Sequence, residues 1–116
     1  PRAVDAYDQQ AVALYRAGRI DEAIAACHPP VFGDQVPVDL QAREAWMEWE
    51  RGARQRAVQK MRAAVTTDPS YYGGWGCLAD WLDQLDDTQG YLEAARMLVR
   101  LDPQGERALG TLANAL

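Results

Sequence analysis

The chain has 116 residues, of which 48% are hydrophobic and 25% charged, and its formal net charge is −5. This balance is typical of one modest globular domain and excludes a disordered chain. The acidic excess argues against nucleic acid as a partner, and no apolar run is long enough to cross a membrane as a helix.

The sequence predicts seven helices separated by short turns. The first covers about residues 3–17 and ends at Gly18, because glycine suits the residue that closes a helix. The second begins near Ile20 and ends by His28, because the two prolines that follow cannot continue it. Residues 28–37 contain three prolines and a glycine, and they are predicted to form a loop.

The remaining helices follow from similar stops. The third and fourth are predicted over about residues 38–51 and 54–67. The fifth begins at the turn Asp68-Pro69-Ser70 and ends near residue 85, with Ser70 interpreted as a helix-start residue. The sixth runs from the turn at 86–88 to about residue 101, and the seventh covers the remainder.

One spacing of 34 residues runs through the chain. It relates the alanines at positions 11, 45, 79 and 113, the glycines at 18 and 52, and the Asp-Pro pairs that begin at 68 and 102. A fixed period of this size predicts a solenoid, in which each unit buries its apolar face against its neighbours.

The residues in this register resemble the tetratricopeptide repeat (TPR) family, whose pattern is W-x2-L-G-x2-Y, then A-x3-F, then P, over roughly 34 residues. The matching residues are Tyr7, Ala11, Leu14, Gly18, Ala23 and Cys27, then Ala57, Met61 and Pro69, then Trp75, Leu78, Ala79 and Leu82. The resemblance implies an all-α fold, an α-hairpin solenoid that forms a single domain over residues 1–116. Its units would cover about residues 4–37, 38–71 and 72–105, with a C-terminal capping helix over about 104–116.

Three departures mark the repeats as degenerate. Gln41, Glu44 and Glu48 stand where the family has large apolar residues. The loop after His28 replaces the last turns of the second helix. The residues from Gly90 onward resemble the start of a helix that is shifted four residues late.

The sequence offers little for catalysis, and we predict no enzymatic activity, no cofactor and no metal. His28 is the only histidine and Ser70 the only serine. Cys27 and Cys77 could join His28 as three metal ligands, but the C-x2-C spacing of zinc sites is absent. Cys27 also falls at a core position of the repeat, so core packing is the preferred interpretation. Two free thiols favour a reducing compartment, which predicts a cytoplasmic protein.

In TPR proteins the first helix of each pair lines a concave face that holds an extended peptide or a partner helix. Carried over to this sequence, the resemblance implies a partner-binding face formed by Asp8, Tyr15, Asp39, Trp46, Trp49, Glu50, Gly73, Gly76, Asp80 and Asp83. Some TPR proteins also clamp the carboxylates of chaperone tails with Lys, Asn and Arg. The corresponding positions here are mostly acidic or small, so the resemblance does not extend to that activity.

An acidic face with aromatic anchors predicts a basic or arginine-containing segment as the partner, through ion pairs and cation–π contacts. Trp46 and Trp49 are three residues apart and share one helix face. Gly73 and Gly76 would leave room for a bulky side chain. The alternative for the two tryptophans is that they fill the core in place of the missing large residues. Asp80, Asp83, Asp86 and Asp87 form either a solvated acidic face or part of the binding groove. The basic residues Arg51, Arg54, Arg56, Lys60 and Arg62 are predicted to form a solvated outer surface, and a second contact surface is the alternative.

Two functions remain open at this point. The first is a non-catalytic scaffold module that binds a protein or peptide. The second is a structural or self-associating TPR segment of a larger multidomain protein, which the start at Pro1 and the apolar end at Leu116 favour. Neither function requires nucleic acid or a membrane.

Overall fold

The computed structural model describes residues 3–115, and the side chains of residues 3–114. Within this range the chain forms seven α-helices and one short 3-10 helix. The helices are α1 (Ala3–Arg16), α2 (Ile20–Ala26), α3 (Val38–Glu50), α4 (Arg54–Thr67), α5 (Tyr72–Gln84), α6 (Thr88–Leu101) and α7 (Glu106–Ala115), and the 3-10 helix covers Pro30–Phe32. The predicted number of helices is confirmed.

The helix starts follow the 34-residue spacing. The helices α3, α5 and α7 begin at Val38, Tyr72 and Glu106. The helices α2, α4 and α6 begin at residues 20, 54 and 88. The sixth helix therefore follows the turn at 86–88 as predicted, and the four-residue shift suggested by the residues from Gly90 onward is wrong, because Gly90 lies inside α6 and not at its beginning. A side chain at this glycine would collide with Leu82, since its β-carbon would lie 2.9 Å from Leu82 Cδ1.

The fifth helix begins later than predicted. Ser70 does not cap α5, whose N-cap residue is Tyr71. Instead, the Ser70 hydroxyl donates to Asp68 Oδ1 at 2.6 Å, and the Ser70 backbone N–H donates to the same oxygen at 3.1 Å. The aspartate thus closes a local turn, which holds the serine outside the helix.

A left-handed residue closes α1, α3 and α5 at the same register position. Gly18 has φ 81°, Gly52 has φ 94° and Asp86 has φ 59°. In each case the next backbone N–H donates to the carbonyl five residues earlier, at 2.8–2.9 Å. This is the 6→1 hydrogen bond of a Schellman turn, in which glycine is the usual left-handed residue. Aspartate tolerates this conformation better than most side chains.

The chain divides into two compact units, residues 1–60 and 61–116. In the first unit, α1, α2 and α3 pack around Ala11, Ala23, Cys27, Leu40 and Met47, which are all fully buried. The predicted core position of Cys27 is confirmed. In the second unit, α5 packs on α6, and α6 packs on α7. The buried residues there include Leu78, Leu82, Ala94, Ala95, Leu98 and Ala108.

Candidate functional site

In the first unit, a salt bridge joins the exposed sides of α1 and α3. Arg43 donates to Asp8 through two hydrogen bonds, Nε to Oδ1 at 2.7 Å and Nη2 to Oδ2 at 3.1 Å. The two side chains are 31% and 27% exposed. A bidentate guanidinium–carboxylate contact fixes direction as well as distance. This pair therefore restrains the position of α1 relative to α3.

Two aromatic rings lie beside this salt bridge. The ring centroids of Tyr15 and Trp46 are 4.9 Å apart, with the planes tilted by 58°. The Arg43 guanidinium lies 5.3 Å from the centre of the Trp46 ring, within cation–π range. Both rings pack on the core beneath them and remain partly exposed. We call these four residues, Asp8, Tyr15, Arg43 and Trp46, the aromatic face.

Arg43 was not among the site residues predicted from the sequence. It stands 35 residues after Asp8, one position beyond the repeat spacing, and three residues before Trp46. The second of these spacings puts Arg43 and Trp46 on one side of α3, so a signal for it was present in the sequence. The arginine also neutralises part of the predicted acidity, because Asp8 is ion-paired with it.

Trp49 differs from Trp46. It is only 9% exposed, and the Arg54 guanidinium covers its ring at 4.7 Å from the ring centre. This burial matches the alternative in which one tryptophan fills the core. Glu50 is exposed at the end of α3, and Asp39 is partly exposed in its first turn.

Two carboxylates of α3 are buried beneath basic residues of the turn after α3 and of α4. Glu44 is 8% exposed and Glu48 1% exposed. Glu44 contacts His28 Nε2 at 2.7 Å and Lys60 Nζ at 2.8 Å. Glu48 contacts Arg51 through Oε1, as an ion pair without hydrogen-bond geometry, and Arg56 through Oε2 at 3.4 Å.

The predicted solvated surface agrees with the exposure of Arg51, Arg54, Arg56 and Arg62, and Lys60 is partly exposed. Three of these residues also contact the buried carboxylates. Arg51, Arg56 and Lys60 point towards the two buried carboxylates, and a buried charge needs such partners because water no longer solvates it. We call this set, Glu44 and Glu48 with their basic neighbours His28, Arg51, Arg56 and Lys60, the buried ionic cluster.

In the second unit, the predicted site residues lie along α5. Gly73, Asp80 and Asp83 are exposed, whereas Gly76 is buried. The expected open space above Gly76 is not empty. A β-carbon at that position would lie 2.5 Å from Arg107 Nη2 and 2.8 Å from Arg107 Cζ. The side chain of Arg107, at the start of α7, occupies that space.

A cavity of about 280 Å³ opens at the end of α5. Asp83, Asp86, Asp87, Thr88, Tyr91 and Asn114 line it. Three of the six are aspartates. Among the side chains that the structure describes, no group of three or more His, Cys, Asp or Glu residues is arranged to hold a metal ion. This cavity therefore adds acidic surface to the second unit without forming a metal site.

The two cysteines lie in different surroundings. Burial raises the pKa of the Cys27 thiol to about 12, and the nearby carboxylates of Glu44 and Asp8 act in the same direction. The thiolate is the nucleophilic form of cysteine, so Cys27 is inert at neutral pH. Cys77 is partly exposed on α5.

No helix among the described residues is both long and apolar enough to span a bilayer.

Neither protein-family models nor curated proteins match this sequence. Solved structures do. The first TPR domain of Spaghetti (RPAP3), bound to the HSP90 peptide SRMEEVD, superposes with a TM-score of 0.76 at 16% identity, covering 97% of this chain and 91% of that one. The Sgt2 TPR domain from Aspergillus fumigatus superposes with a TM-score of 0.74 at 16% identity, covering 99% and 82%.

The Hsp90 co-chaperone Cns1 from Saccharomyces cerevisiae also matches, with a TM-score of 0.74 at 20% identity. The match covers 97% of this chain, which spans only 38% of the Cns1 chain. At these identities the likeness establishes the fold alone. The chain has a TPR fold, and the predicted all-α, α-hairpin solenoid class is confirmed.

Proposed function

We propose that this chain is a non-catalytic module that binds an extended protein or peptide segment, with the aromatic face as its anchor in the first unit. The observation that carries the proposal is the arrangement of Tyr15, Trp46 and Arg43. Two rings and a guanidinium lie together at a surface that the core already supports from beneath. Tryptophan, tyrosine and arginine are the residues most enriched at binding hot spots.

The fold supports this proposal. The first TPR domain of RPAP3 holds a bound HSP90 peptide, SRMEEVD, and the second TPR domain of human RPAP3 forms a complex with the HSP70 peptide SGPTIEEVD. A fold alone does not determine a function. For this chain the proposal therefore rests on its own side chains, and the neighbours indicate only that the fold is compatible with holding a peptide.

The charges of this chain favour a different peptide. Both named peptides carry two glutamates and one aspartate. In the second unit here, Asp80 and Asp83 project from α5 near the acidic cavity that Asp86 and Asp87 line. Like charges close to each other oppose binding, whereas a basic segment is attracted and steered. We therefore infer a basic, arginine-containing segment as the partner. In the first unit, Asp39 and Glu50 would supply acidic side chains for such a segment.

The test compares peptides on one protein. Fluorescence anisotropy with labelled extended peptides, each at matched length, measures Kd for an arginine-rich peptide, a neutral peptide and SRMEEVD. We expect the arginine-rich peptide to bind at least tenfold more tightly than SRMEEVD. We also expect Trp46→Ala to weaken that binding by about 30-fold, the effect of removing a hot-spot side chain of about 2 kcal/mol.

Val31→Ala is the matched control, because Val31 is 70% exposed in the same unit and lies outside the aromatic face. Far-UV circular dichroism checks that both variants fold. Equal affinities for the three peptides would overturn the basic partner. An unchanged Kd in the folded Trp46→Ala protein would overturn the aromatic face as the anchor.

A further inference from the structure

The guanidinium of Arg107 occupies the space next to Gly76 of α5, where the glycine has no side chain. The position that a β-carbon would take at residue 76 is 2.5 Å from Arg107 Nη2, 2.8 Å from Cζ and 3.1 Å from Nη1. All three distances are shorter than a van der Waals contact between heavy atoms. The guanidinium therefore occupies the volume that any other residue would fill with its own side chain.

A carboxylate lies at the edge of this contact. Asp80 is one helical turn beyond Gly76, and its Oδ2 is 3.7 Å from Arg107 Nη2. The side chains of Arg107 and Asp80 are 55% and 71% exposed. A pair this exposed is screened by water and contributes little to stability. Arg107 can therefore leave the contact at low cost.

The contact is particular to α5. In the first unit the residue at the same register position is Ala42, which carries a β-carbon where Gly76 has none. Glycine in the middle of a helix costs roughly 0.5–1 kcal/mol relative to alanine. At position 76 the glycine makes room for a planar group that sits directly on the backbone.

We infer that Gly76 and Asp80 form an arginine site, which Arg107 occupies in the free chain and which the arginine of a bound segment takes by displacing it. This inference rests on the proposed function and names the side chain that the second unit recognises. The guanidinium is planar and stacks flat, whereas the lysine ammonium is a compact, strongly hydrated charge. The site therefore selects arginine over lysine. Because Arg107 competes for the site in the free chain, the apparent affinity for an incoming arginine is reduced by the fraction of sites that are open.

The experiment uses a single amino acid as probe, so it does not depend on the identity of the partner. Acetyl-argininamide is titrated into the 15N-labelled chain, and the amide signals of Gly76 and Asp80 are followed by NMR. In Arg107→Ala we expect saturable shifts of these signals, with a Kd at least fivefold lower than in the wild type. Acetyl-lysinamide should shift them at least fivefold more weakly than acetyl-argininamide.

Arg100→Ala is the matched control, because it removes the same charge from an exposed position on α6 of the same unit. It should behave like the wild type. If Arg107→Ala and Arg100→Ala give the same Kd, the effect is one of net charge and the arginine site is overturned. Absence of a saturable shift in Arg107→Ala would overturn it as well.

A second variant separates the site from the fold. Gly76→Ala in the Arg107→Ala background fills the site with a methyl group and raises helix propensity, so the protein remains folded. We expect this double variant to lose the shifts. If it binds acetyl-argininamide as tightly as Arg107→Ala, the site lies elsewhere. The peptide measurements on Trp46→Ala test the proposed function in the other unit, so the two ideas can fail separately.

Discussion

The helices α3 and α5 occupy equivalent places in the repeat, yet they bury opposite kinds of side chain. Glu44 and Glu48 of α3 stand 34 residues before Leu78 and Leu82 of α5. All four side chains are buried, the glutamates at 8% and 1% exposed and the leucines at 1% and 3%. The comparison shows that the repeat fixes where a side chain is buried, while its neighbours decide whether that side chain is apolar or charged.

The neighbours of the two glutamates explain how the charge is accommodated. His28 comes from the loop that replaces the end of α2, Arg51 from the turn after α3, and Arg56 and Lys60 from α4. The side chain of His28 is 52% exposed and that of Arg56 is 62% exposed. These basic side chains thus remain partly exposed to water while they contact a buried carboxylate. Burying a charge costs most when the charge is left without a partner, and the retained hydration of the partners reduces the cost of these contacts.

Two other register positions show the opposite exchange, and of the two α3 side chains there only Trp46 remains partly exposed. Trp46 and Trp49 of α3 occupy the register positions that Asp80 and Asp83 hold in α5. The first unit therefore buries acids and presents an aromatic ring, and the second buries leucines and presents acids.

The largest expected effect on stability comes from removing a buried side chain, and it distinguishes the buried leucines of α5 from the buried glutamates of α3. Leu82→Ala should lower the free energy of unfolding by about 2–5 kcal/mol, because it removes buried methyl groups and leaves a cavity. Glu48→Ala should cost about 1.5–3 kcal/mol, because it removes charged contacts but leaves cations that can rehydrate. Urea unfolding followed by circular dichroism at low and high salt measures both. Only the Glu48 effect should shrink as salt rises, since salt screens ion pairs.

Two further variants control this comparison. Glu50→Ala removes an exposed acid from the same helix and should change stability by less than about 0.5 kcal/mol. Glu48→Leu makes α3 resemble α5 and should be at least as stable as wild type, because apolar replacement of buried ion pairs is often neutral or stabilising. Equal salt dependence for Leu82→Ala and Glu48→Ala would contradict the assignment of stabilising ion pairs to the buried glutamates of α3.

The repeat register was the part of the structure most accessible from sequence. Gly18 and Gly52 indicated the left-handed residues that close α1 and α3. The equivalent residue after α5 was not indicated, because Asp86 replaces glycine there. The start of α5 was misplaced because Asp68 and Ser70 resembled a capped helix start. Their side chains bond each other in a turn instead. Helix-start signals of this kind fail where two short polar side chains can bond each other instead of the helix backbone.

The candidate site was predicted less completely, and for a physical reason. Periodicity places a residue on a helix face, but it does not say which long side chain reaches across to the next helix. Arg43 was missed because its partner Asp8 lies on another helix, 35 residues away in sequence. Gly76 was expected to be open because the side chain that covers it belongs to Arg107. In both cases a flexible arginine determined the surface.

The next effect concerns the cysteine of each unit. Burial raises the pKa of Cys27 to about 12, whereas an unfolded thiol has a pKa near 8.5. Between these values the unfolded chain loses a proton that the folded chain keeps, so stability is intact below about pH 8.5 and falls as pH rises towards 12. From pH 8 to pH 10 we expect a loss of roughly 1–2 kcal/mol, at 1.36 kcal/mol per pKa unit.

Urea unfolding at both pH values measures this loss. Cys27→Ala is the reference protein, because it keeps every other titrating group and lacks only the Cys27 thiol. The difference between the two proteins should carry the pH dependence. An iodoacetamide reaction at pH 8 sharpens the contrast between units, because the partly exposed Cys77 should react in the native protein and Cys27 only after unfolding. Rapid native labelling of Cys27, or identical pH dependence of wild type and Cys27→Ala, would contradict the buried thiol.

The smallest effect compares the two surface arginines. Arg43 holds Asp8 with two hydrogen bonds at 2.7 and 3.1 Å, whereas Arg107 lies 3.7 Å from a more exposed Asp80. Double-mutant cycles on stability, with each residue changed to alanine, should give a coupling of about 0.5–1 kcal/mol for the first pair and near zero for the second. A coupling of the same size in both pairs would mean that Arg107 is held as firmly as Arg43. The arginine of a partner could then not displace it cheaply. A strong first pair and a weak second pair give the two units distinct roles. Under the proposed function, this result would correspond to an aromatic face that is ordered in the free chain and an arginine site that opens when a partner binds.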